Sequence, residues 1–249
     1  DVATVGNDSV WACGYSGFSV PTANRVPKVY RSFDGGLTWN VNSSFAVGSL
    51  FQNFRHIEFP TRTTGYVAGT RDTIWKTTDA GVTWTKLPLP FPGVTPQSTY
   101  NDMFALDANT IFLVGNGFPR KVIIRSLDGG NTWQDITGNA LTVLPVGNFN
   151  SVVFHDANNG YVVRAGGFLV TNNGGATWRP DLPPSNSNHV SMAFAPKKVP
   201  AAVPFVNRKL FTVTIFGNNI LEYGDRANVD VNSTEVIGNA TCTNLSGGS

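Results

Sequence analysis

Carboxylates and histidines are the side chains best suited to acid–base or metal chemistry, and both are sparse in this chain. Its 249 residues include 16 Asp and Glu residues and three His residues. None of His56, His155 and His189 has the spacing of a metal-binding motif such as HExxH. The sequence contains no Gly-x-Ser-x-Gly nucleophile elbow. We therefore expect no metal site, no cofactor and no catalytic residues, and the three histidines are interpreted as ordinary polar or packed residues.

A pair of carboxylates is the remaining catalytic candidate, because glycoside hydrolysis needs two of them about 5–10 Å apart. Glu58 and Asp102 precede or lie within apolar stretches of two neighbouring sequence units. The simpler interpretation is that each carboxylate satisfies nearby backbone groups or faces water. The sequence leaves the enzyme question open and favours a protein that is not an enzyme.

An eight-residue pattern recurs four times and indicates how the chain is built. The copies are 32–39 (SFDGGLTW), 77–84 (TTDAGVTW), 126–133 (SLDGGNTW) and 171–178 (TNNGGATW), and their Trp residues are spaced by 45, 49 and 45 positions. An apolar pair, a polar turn and a further apolar run precede each copy. A fifth, looser unit runs through 192–225, where the eight-residue pattern has decayed. A near-constant period of this kind is typical of repeat architectures.

Each unit predicts four short strands. The apolar runs are rich in Val, Ile, Phe, Tyr and Thr and are separated by turn residues, and no window has a sustained period of 3.6. Four strands in 45–50 residues is the size of a propeller blade. We predict an all-β fold, a β-propeller of about five four-stranded blades. It forms a single domain over 1–249, with blades at roughly 1–46, 47–92, 93–145, 146–186 and 187–232 and a tail, 233–249, that closes on blade one.

The recurring pattern has a mechanical interpretation in a hairpin. Its acid can accept hydrogen bonds from turn N–H groups, its Gly supplies permissive backbone, and its Trp fills space between neighbouring sheets. Asn replaces the acid in the fourth copy and tolerates the same turn. The residues assigned this structural role are Asp34, Trp39, Asp79, Trp84, Asp128, Trp133, Asn173 and Trp178.

This pattern, Ser/Thr-x-Asp-x-Gly-x-Thr-Trp, resembles the Asp-box, also called the bacterial neuraminidase repeat. It occurs in sialidases, in the sortilin ectodomain, in xyloglucan-cleaving hydrolases and in photosystem II assembly factors. The segments RSFDGGLTW, KTTDAGVTW and HDANNGYV are most similar to secreted multidomain proteins of Bacteroidetes. The resemblance covers about residues 1–226. It implies a propeller in which the boxes shape hairpins and are not catalytic, a secreted or cell-surface location, and a place within a larger multidomain protein.

A ligand would bind where the innermost strands of the blades begin, at the mouth of the channel. Aligning the units on Phe59, Leu106, Phe154 and Phe194 places polar and aromatic residues there. The candidate ligand-binding residues are Asn53, Arg55, Tyr100, Asp102, Asn150, Asn188 and His189. Such side chains could hydrogen-bond to or stack on a sugar or a peptide; alternatively, they are polar only because the channel contains water.

Charge and hydropathy limit the classes of partner that we expect for this protein. The net charge is +2 and the basic residues are scattered, which gives no case for nucleic acid. No apolar stretch reaches about 18 residues, so we expect no membrane insertion. Cys13 and Cys242 lie near opposite ends of the chain. In a secreted protein they could form one disulfide, whereas in a reducing cell they would be two separate thiols.

These features favour a non-catalytic extracellular module that binds or presents a glycan or a protein ligand. The first alternative is a glycosidase-type hydrolase, sialidase-like or of another Asp-box family. The second alternative is a factor that assists the assembly of another protein.

Overall fold

The computed structural model describes most of the chain up to residue 195 and three later strands. The described residues are 1–15, 26–42, 45, 53–70, 73–88, 99–116, 121–143, 147–164, 167–181, 189–195, 209–214, 219–223 and 234–239. For 189, 190, 194 and 195 and for all residues from 209 onward, only the backbone is described. Asn188 and Cys242 lie outside the described residues.

The described residues form strands almost throughout, with one short helix. In chain order the strands are β1 (Val2–Val5), β2 (Ser9–Tyr15), β3 (Pro27–Ser32), β4 (Asn40–Asn42), β5 (Phe54–Glu58), β6 (Gly65–Gly69), β7 (Ile74–Thr77), β8 (Thr85–Lys86), β9 (Thr99–Ala105), β10 (Ile111–Asn116), β11 (Val122–Ser126), β12 (Gln134–Asp135), β13 (Phe149–Phe154), β14 (Gly160–Arg164), β15 (Gly167–Thr171), β16 (Arg179–Asp181), β17 (His189–Ala195), β18 (Lys209–Thr214), β19 (Asn219–Tyr223) and β20 (Thr234–Asn239). The helix α1 (Ala140–Val143) lies between β12 and β13. No helix in this part of the chain is long and apolar enough to cross a membrane.

The strands form five antiparallel sheets of four consecutive strands each. We number them sheet 1 (β1–β4) to sheet 5 (β17–β20) in chain order. The first strand of each sheet lines a central channel, and its neighbours follow outward in sequence order. The arrangement is the predicted all-β propeller.

Apolar side chains on both faces of the sheets explain why this sequence forms stacked sheets. All residues of β6 and β15 are buried, as are Ile111–Gly115 of β10, because each of these strands has a neighbouring sheet on either side. Three apolar clusters hold the joints between successive sheets. Trp11 stacks on Phe59 at 3.8 Å across the joint of sheets 1 and 2. Phe112 stacks on Phe154 at 3.5 Å across the joint of sheets 3 and 4.

Four hairpins share one hydrogen-bond pattern at the predicted boxes. In the second box, Thr77 Oγ1 donates to Asp79 at 2.7 Å and accepts from Gly81 N at 2.9 Å. The Asp79 carboxylate also accepts from Thr83 N at 2.9 Å and from its hydroxyl at 2.5 Å. The first and third boxes repeat these bonds with Asp34 and Asp128. A carboxylate at this position therefore stabilises the turn by accepting hydrogen bonds from residues on both sides of it.

Asn173 fits the same turn in the fourth box. Its Oδ1 accepts from Thr177 N at 2.9 Å, and its Nδ2 donates to the Thr177 hydroxyl at 2.8 Å. The hydrogen bonds therefore keep their places while the negative charge is lost. In the third box the acid is charged, because hydrogen bonds, above all from the Thr132 side chain, lower the pKa of Asp128 to about 2.

The box tryptophans differ in burial. Trp178 is buried and donates from Nε1 to Ile136 O at 2.8 Å, and Trp84 and Trp133 are partly buried against the core. Trp39 instead remains 45% exposed. The expectation that each Trp fills space between sheets therefore does not hold for Trp39, because no described sheet covers its side of sheet 1.

Two further expectations concern the end of the chain. Residues 234–239, in the segment expected to be a tail, form the outer strand of sheet 5 instead. No sequence motif marks this strand, because the fifth box has decayed. Cys13 is buried among the residues that join sheets 1 and 2, and burial raises the pKa of its thiol to about 11. Because Cys242 lies outside the described residues, the disulfide stays a prediction, as does the division into blades.

Candidate functional site

A ring of five polar residues surrounds the channel, one from each innermost strand. We call it the collar: Asp1, His56, Asp102, Ser151 and Ser191. The strand registers make these positions equivalent, because His56 lies opposite Ala68, Asp102 opposite Val114, Ser151 opposite Val163 and Ser191 opposite Val213. Asp1 completes the set by exchanging backbone hydrogen bonds with Cys13.

An extra residue precedes the collar position in four of the five sheets. The pairing skips from Phe54 to His56, from Phe149 to Ser151 and from His189 to Ser191, and it shifts in the same way in β9 around Asn101. Each skip is a β-bulge, which turns side chains at the end of a strand. The bulges place Arg55, Asn101 and Asn150 beside the collar.

The collar and the bulge residues line a cavity of about 290 Å³. The lining residues are Asp1, Arg55, His56, Asn101, Asp102, Asn150, Ser151 and Ser191. All eight side chains are polar, and none is that of Phe, Tyr or Trp. Arg55 is exposed. The cavity is therefore suited to hydrogen-bonding a polar ligand and not to stacking on a flat one.

Asp102 ties sheet 3 to sheet 4 at the collar. Its Oδ2 accepts from Ser151 Oγ at 2.7 Å and from Val152 N at 2.9 Å, and its Oδ1 accepts from Met103 N at 2.9 Å. The Asp1 carboxylate makes a similar link, since it accepts from Ile57 N of sheet 2 at 3.0 Å. Asn101 donates to Phe149 O of sheet 4 at 2.8 Å. These side chains stabilise the arrangement of the sheets around the channel.

His56 lies between the two carboxylates of the collar. Its Nδ1 is 3.7 Å from Asp102 Oδ1 and 3.9 Å from Asp1 Oδ2. Burial, with a further contribution from the positive charge of Arg55, lowers the pKa of His56 to about 4, although a hydrogen bond with the backbone of Tyr100 opposes the shift. The imidazole is therefore neutral at physiological pH.

A second cavity of about 210 Å³ adjoins the collar. Asp1, Glu58 and Asp102 line it together with apolar side chains such as Met103, Val152 and Met192. Three donors hydrogen-bond to the Asp102 carboxylate, two of them from sheet 4, so this carboxylate is engaged as a link between sheets. Among the described residues, no group of three His, Cys, Asp or Glu side chains could hold a metal ion.

The residues predicted for ligand binding fall into three groups. Arg55, Asp102 and Asn150 meet at the larger cavity. Asn53 donates from its backbone to Thr70 Oγ1 at 3.0 Å and does not line either cavity, and Tyr100 is fully buried in the core of sheets 2 and 3. Asn188 lies outside the described residues, and only the backbone of His189 is described.

Tyr100 differs from the prediction because the alignment of the units was shifted by one residue in β9. Ala105 lies opposite Ile111, as Phe154 lies opposite Gly160, so Ala105 and not Leu106 is equivalent to Phe154. With that register Tyr100 is equivalent to Phe54 and Phe149, which are also buried. A one-residue shift moves a side chain to the other face of a strand.

Sequence reasoning missed four collar residues: Asp1, His56, Ser151 and Ser191. The bulges hid His56, Ser151 and Ser191, because an extra residue before each of these positions breaks the alternation that marks the faces of a strand. A signal exists in hindsight: in three units a polar residue stands three positions before the aligned Phe, at His56, Ser151 and Ser191.

Comparisons with known proteins agree with this architecture. Residues 48–147 match the model of the family described as photosynthesis system II assembly factor YCF48. A xyloglucanase from a Paenibacillus species is 27% identical over 130 residues, which are 47% of this chain and 12% of the xyloglucanase.

Two solved structures resemble nearly the whole chain. The structure of YCF48 bound to D1 peptide is 18% identical, has a TM-score of 0.60 and is matched over 90% of this chain and 64% of its own. The GH74 enzyme of Niastella koreensis is 16% identical, has a TM-score of 0.63 and is matched over 92% of this chain and 37% of its own. The chain thus spans less than two thirds of each of these proteins. With the four box hairpins, these matches identify it as an Asp-box, or BNR-repeat, β-propeller.

Proposed function

We propose that this propeller is a non-catalytic module that binds an extended polypeptide segment across the mouth of its channel. The observation that carries the proposal is the cavity at the collar, which eight polar side chains line. Amide, hydroxyl and guanidinium groups complement the N–H and C=O groups of a peptide backbone. Exposed Arg55 would bind backbone carbonyls or a carboxylate of the segment.

The make-up of the cavity supports a peptide over a sugar. Stacking on a sugar ring needs an exposed aromatic face, and in the part of the chain that the structure describes the Phe and Tyr residues beside the collar positions, Phe54, Tyr100 and Phe149, are buried. The structural neighbour YCF48 was solved bound to D1 peptide, which supports the same choice by analogy.

Hydrolysis of a glycan is the rival function, and similarity to xyloglucanase and GH74 enzymes favours it. A glycosidase needs one carboxyl group that gives up a proton and a second that acts as nucleophile or base. Asp102 is held by three donors as a tie between sheets, which argues against the first role. A binding module therefore fits the collar better.

The setting of the module is a proposal as well. We propose a secreted or cell-surface location and a place within a larger multidomain protein, as the resemblance to Bacteroidetes propellers implies. In such a protein the module would hold or present a polypeptide, which also accommodates a role in the assembly of another protein.

Selection of binders followed by calorimetry tests the peptide site. A display library of random linear peptides would be panned against the protein, and the selected peptide would be synthesised for titration. We expect Arg55→Ala to raise its Kd by at least about tenfold, since a charged hydrogen-bonding group is lost. Asn150→Ala should act in the same direction.

Arg62→Ala is the matched control. Arg62 is an exposed arginine that bonds to Asp8 at 3.2 Å, at the opposite end of the strands. The proposal is contradicted if Arg55→Ala and Arg62→Ala bind the peptide equally well. It is also contradicted if the protein releases reducing ends from xyloglucan in a parallel assay and Asp102→Asn abolishes that release.

A further inference from the structure

The fourth unit breaks the repeat at one position of its second strand. In the first three units this strand carries a glycine after three apolar residues, in the segments 11–14 (WACG), 66–69 (YVAG) and 112–115 (FLVG). The fourth unit has arginine instead, in the segment 161–164 (YVVR). Arg164 therefore stands where the other units have glycine.

The strand registers confirm that Gly69, Gly115 and Arg164 occupy one position. Each of them lies opposite the buried aromatic residue that precedes the bulge of its sheet; these residues are Phe54, Tyr100 and Phe149. The position is thus at the mouth of the channel, beside the bulge residues.

Sheets 2 and 3 need glycine at this position because the backbone that enters their first strand passes directly over it. A methyl group added to Gly69 would overlap the carbonyl oxygen of Asn53, and one added to Gly115 would lie 2.6 Å from the carbonyl oxygen of Thr99. Arg164 carries a whole side chain at this position. The chain that enters β13 therefore cannot follow the course that it has in sheets 2 and 3.

Arg164 instead binds the chain that enters β13. Its Nε donates to Gly147 O at 3.0 Å and its Nη1 donates to Ala140 O at 3.2 Å. Its guanidinium carbon lies 5.0 Å from the centre of the Phe149 ring. Lys121 Nζ donates to the same Gly147 carbonyl at 2.6 Å. Two cationic side chains therefore hold this segment.

The guanidinium of Arg164 is a buried charge that the surrounding residues do not neutralise. Arg164 is 0% exposed, and its Nη2 has no hydrogen-bond partner. Among the described residues no carboxylate forms an ion pair with it, and burial lowers the pKa of its guanidinium. Burying an unpaired charge costs free energy of folding. A position at which a sequence departs from its own pattern at such a cost is a candidate for a functional role.

The segment that Arg164 holds leads directly to the cavity at the collar. The carbonyl oxygen of Phe149 accepts a hydrogen bond from Asn101 Nδ2 at 2.8 Å. Asn150 follows Phe149 as the bulge residue of sheet 4. Asn101 and Asn150 both line the cavity. A change in the position of Phe149 would therefore move two of the eight side chains that line it.

We propose that Arg164 is a positioning residue of the peptide site, which holds residues 147–149 so that the amides of Asn101 and Asn150 face the bound segment. The inference rests on the proposed function, since it concerns the same cavity. Arg164 does not line the cavity and acts through Phe149. Glycine at this position would let the entering segment approach β14, as it does in sheets 2 and 3, and would change the direction of both amides.

Calorimetry with the peptide selected by panning, together with NMR of the side-chain amides, tests this role. Arg164→Met keeps a long side chain over Phe149 but loses both donors. We expect it to raise the Kd by at least about fivefold and to shift the side-chain amide resonances of Asn101 and Asn150 in the free protein. Arg164→Lys keeps the charge and one donor group, so it should restore part of the affinity.

Arg125→Met is the matched control. Arg125 belongs to the same pair of sheets and also donates to a backbone carbonyl, that of Gly174 at 3.0 Å, but it lies at the box end of the strands. Its loss should lower the stability while the Kd and the two amide resonances stay unchanged. Circular dichroism and the Tm verify that each variant is folded. If Arg164→Met does not fold, Arg164→Gly replaces it, because glycine is the residue of the equivalent positions.

Failure of the positioning role is distinguishable from failure of the peptide site. If Arg55→Ala weakens binding and Arg164→Met does not, the positioning role is overturned and the site stands. Equal effects of Arg164→Met and Arg125→Met on the Kd overturn it as well. Unchanged amide resonances of Asn101 and Asn150 in Arg164→Met overturn it whether or not a peptide is bound. If panning selects no peptide, the proposed function is contradicted, and the amide resonances still show whether Arg164 positions these two side chains.

Discussion

Individual carboxylates in this protein serve as structural ties at two places. At the collar, Asp102 links sheets 3 and 4 through Ser151 and Val152. In the boxes, Asp34, Asp79 and Asp128 close their own turns. In both settings backbone and hydroxyl donors bond to the carboxylate, which is partly buried at Asp102 and exposed at Asp34 and Asp128.

His56 makes stability depend on pH at the residue scale. Its pKa of about 4 in the folded protein lies below its ordinary value of 6.5, so the unfolded chain takes up the proton more readily. The contribution of His56 is fully present above about pH 6.5 and is lost as the pH falls toward 4. The groups that face it are Arg55 and the amino group of Asp1, which oppose protonation, and the carboxylates of Asp1 and Asp102, which are within 3.9 Å.

We therefore expect His56→Gln to reduce the loss of stability between pH 6.5 and 4. Glutamine keeps a hydrogen-bonding side chain but does not titrate. Urea unfolding midpoints of both proteins, measured at several pH values in this window, would show the difference. Parallel curves would mean that His56 does not titrate as its surroundings imply.

At the scale of the element, the same packing contact recurs between neighbouring sheets. A side chain from the connection after one sheet fills the box of the next sheet, as Leu87 does at Gly130 and Ile136 does at Gly175. Positive φ angles at the box glycines make this close approach compatible with the turn. The turn of the box and the packing of the two sheets therefore both require a glycine at the same position.

A pair of Gly→Ala variants separates these two roles. Gly130 has φ +89° and Gly36 has φ +95°, so Ala pays a similar backbone cost of about 1 kcal/mol at both. Gly130→Ala must also displace Leu87, which adds about 1–3 kcal/mol of overpacking. We expect a larger loss of unfolding free energy for Gly130→Ala, measured by urea titration. Equal losses of unfolding free energy would mean that Leu87 does not fill the space beside Gly130.

At the scale of the whole molecule, stability comes from contacts between sheets that are distant in sequence. Phe154 is 1% exposed, stacks on Phe112 and meets the ring of Trp178 edge-on at 6.4 Å. Phe154 of β13 therefore packs against both sheet 3 and the fourth box. In a repeat protein the interfaces between neighbouring units carry much of the stability.

Phe154→Ala should accordingly destabilise the protein by about 3–5 kcal/mol, because a buried aromatic side chain leaves a cavity at a joint. Urea unfolding followed by circular dichroism and by tryptophan fluorescence would measure the loss. Val82→Ala, at an exposed position of the second box, is the control and should cost little. A loss below about 1 kcal/mol for Phe154→Ala would mean that this joint contributes little.

Much of the fold could be predicted from the sequence because its signals are local. The alternation of apolar residues, the turn residues and the period of the repeat predict strands and their grouping into blades. The outer strand β20 was missed because no box precedes it. Of the candidate site, Arg55, Asp102 and Asn150 were predicted, whereas Tyr100 was placed on the wrong side of β9 by one residue of register.

The sequence by itself determined the box hairpins, because their hydrogen bonds join residues two to four positions apart, as from Thr77 to Asp79 and from Thr83 to Asp79. Only the tertiary structure decided the collar, because its bonds join residues 49 and 56 positions apart, from Ser151 to Asp102 and from Ile57 to Asp1. Such pairs form only after the bulges set the direction of each side chain and the sheets pack around the channel. The exposure of Trp39 was likewise decided by packing, since its box has the same pattern as the boxes whose tryptophans are covered.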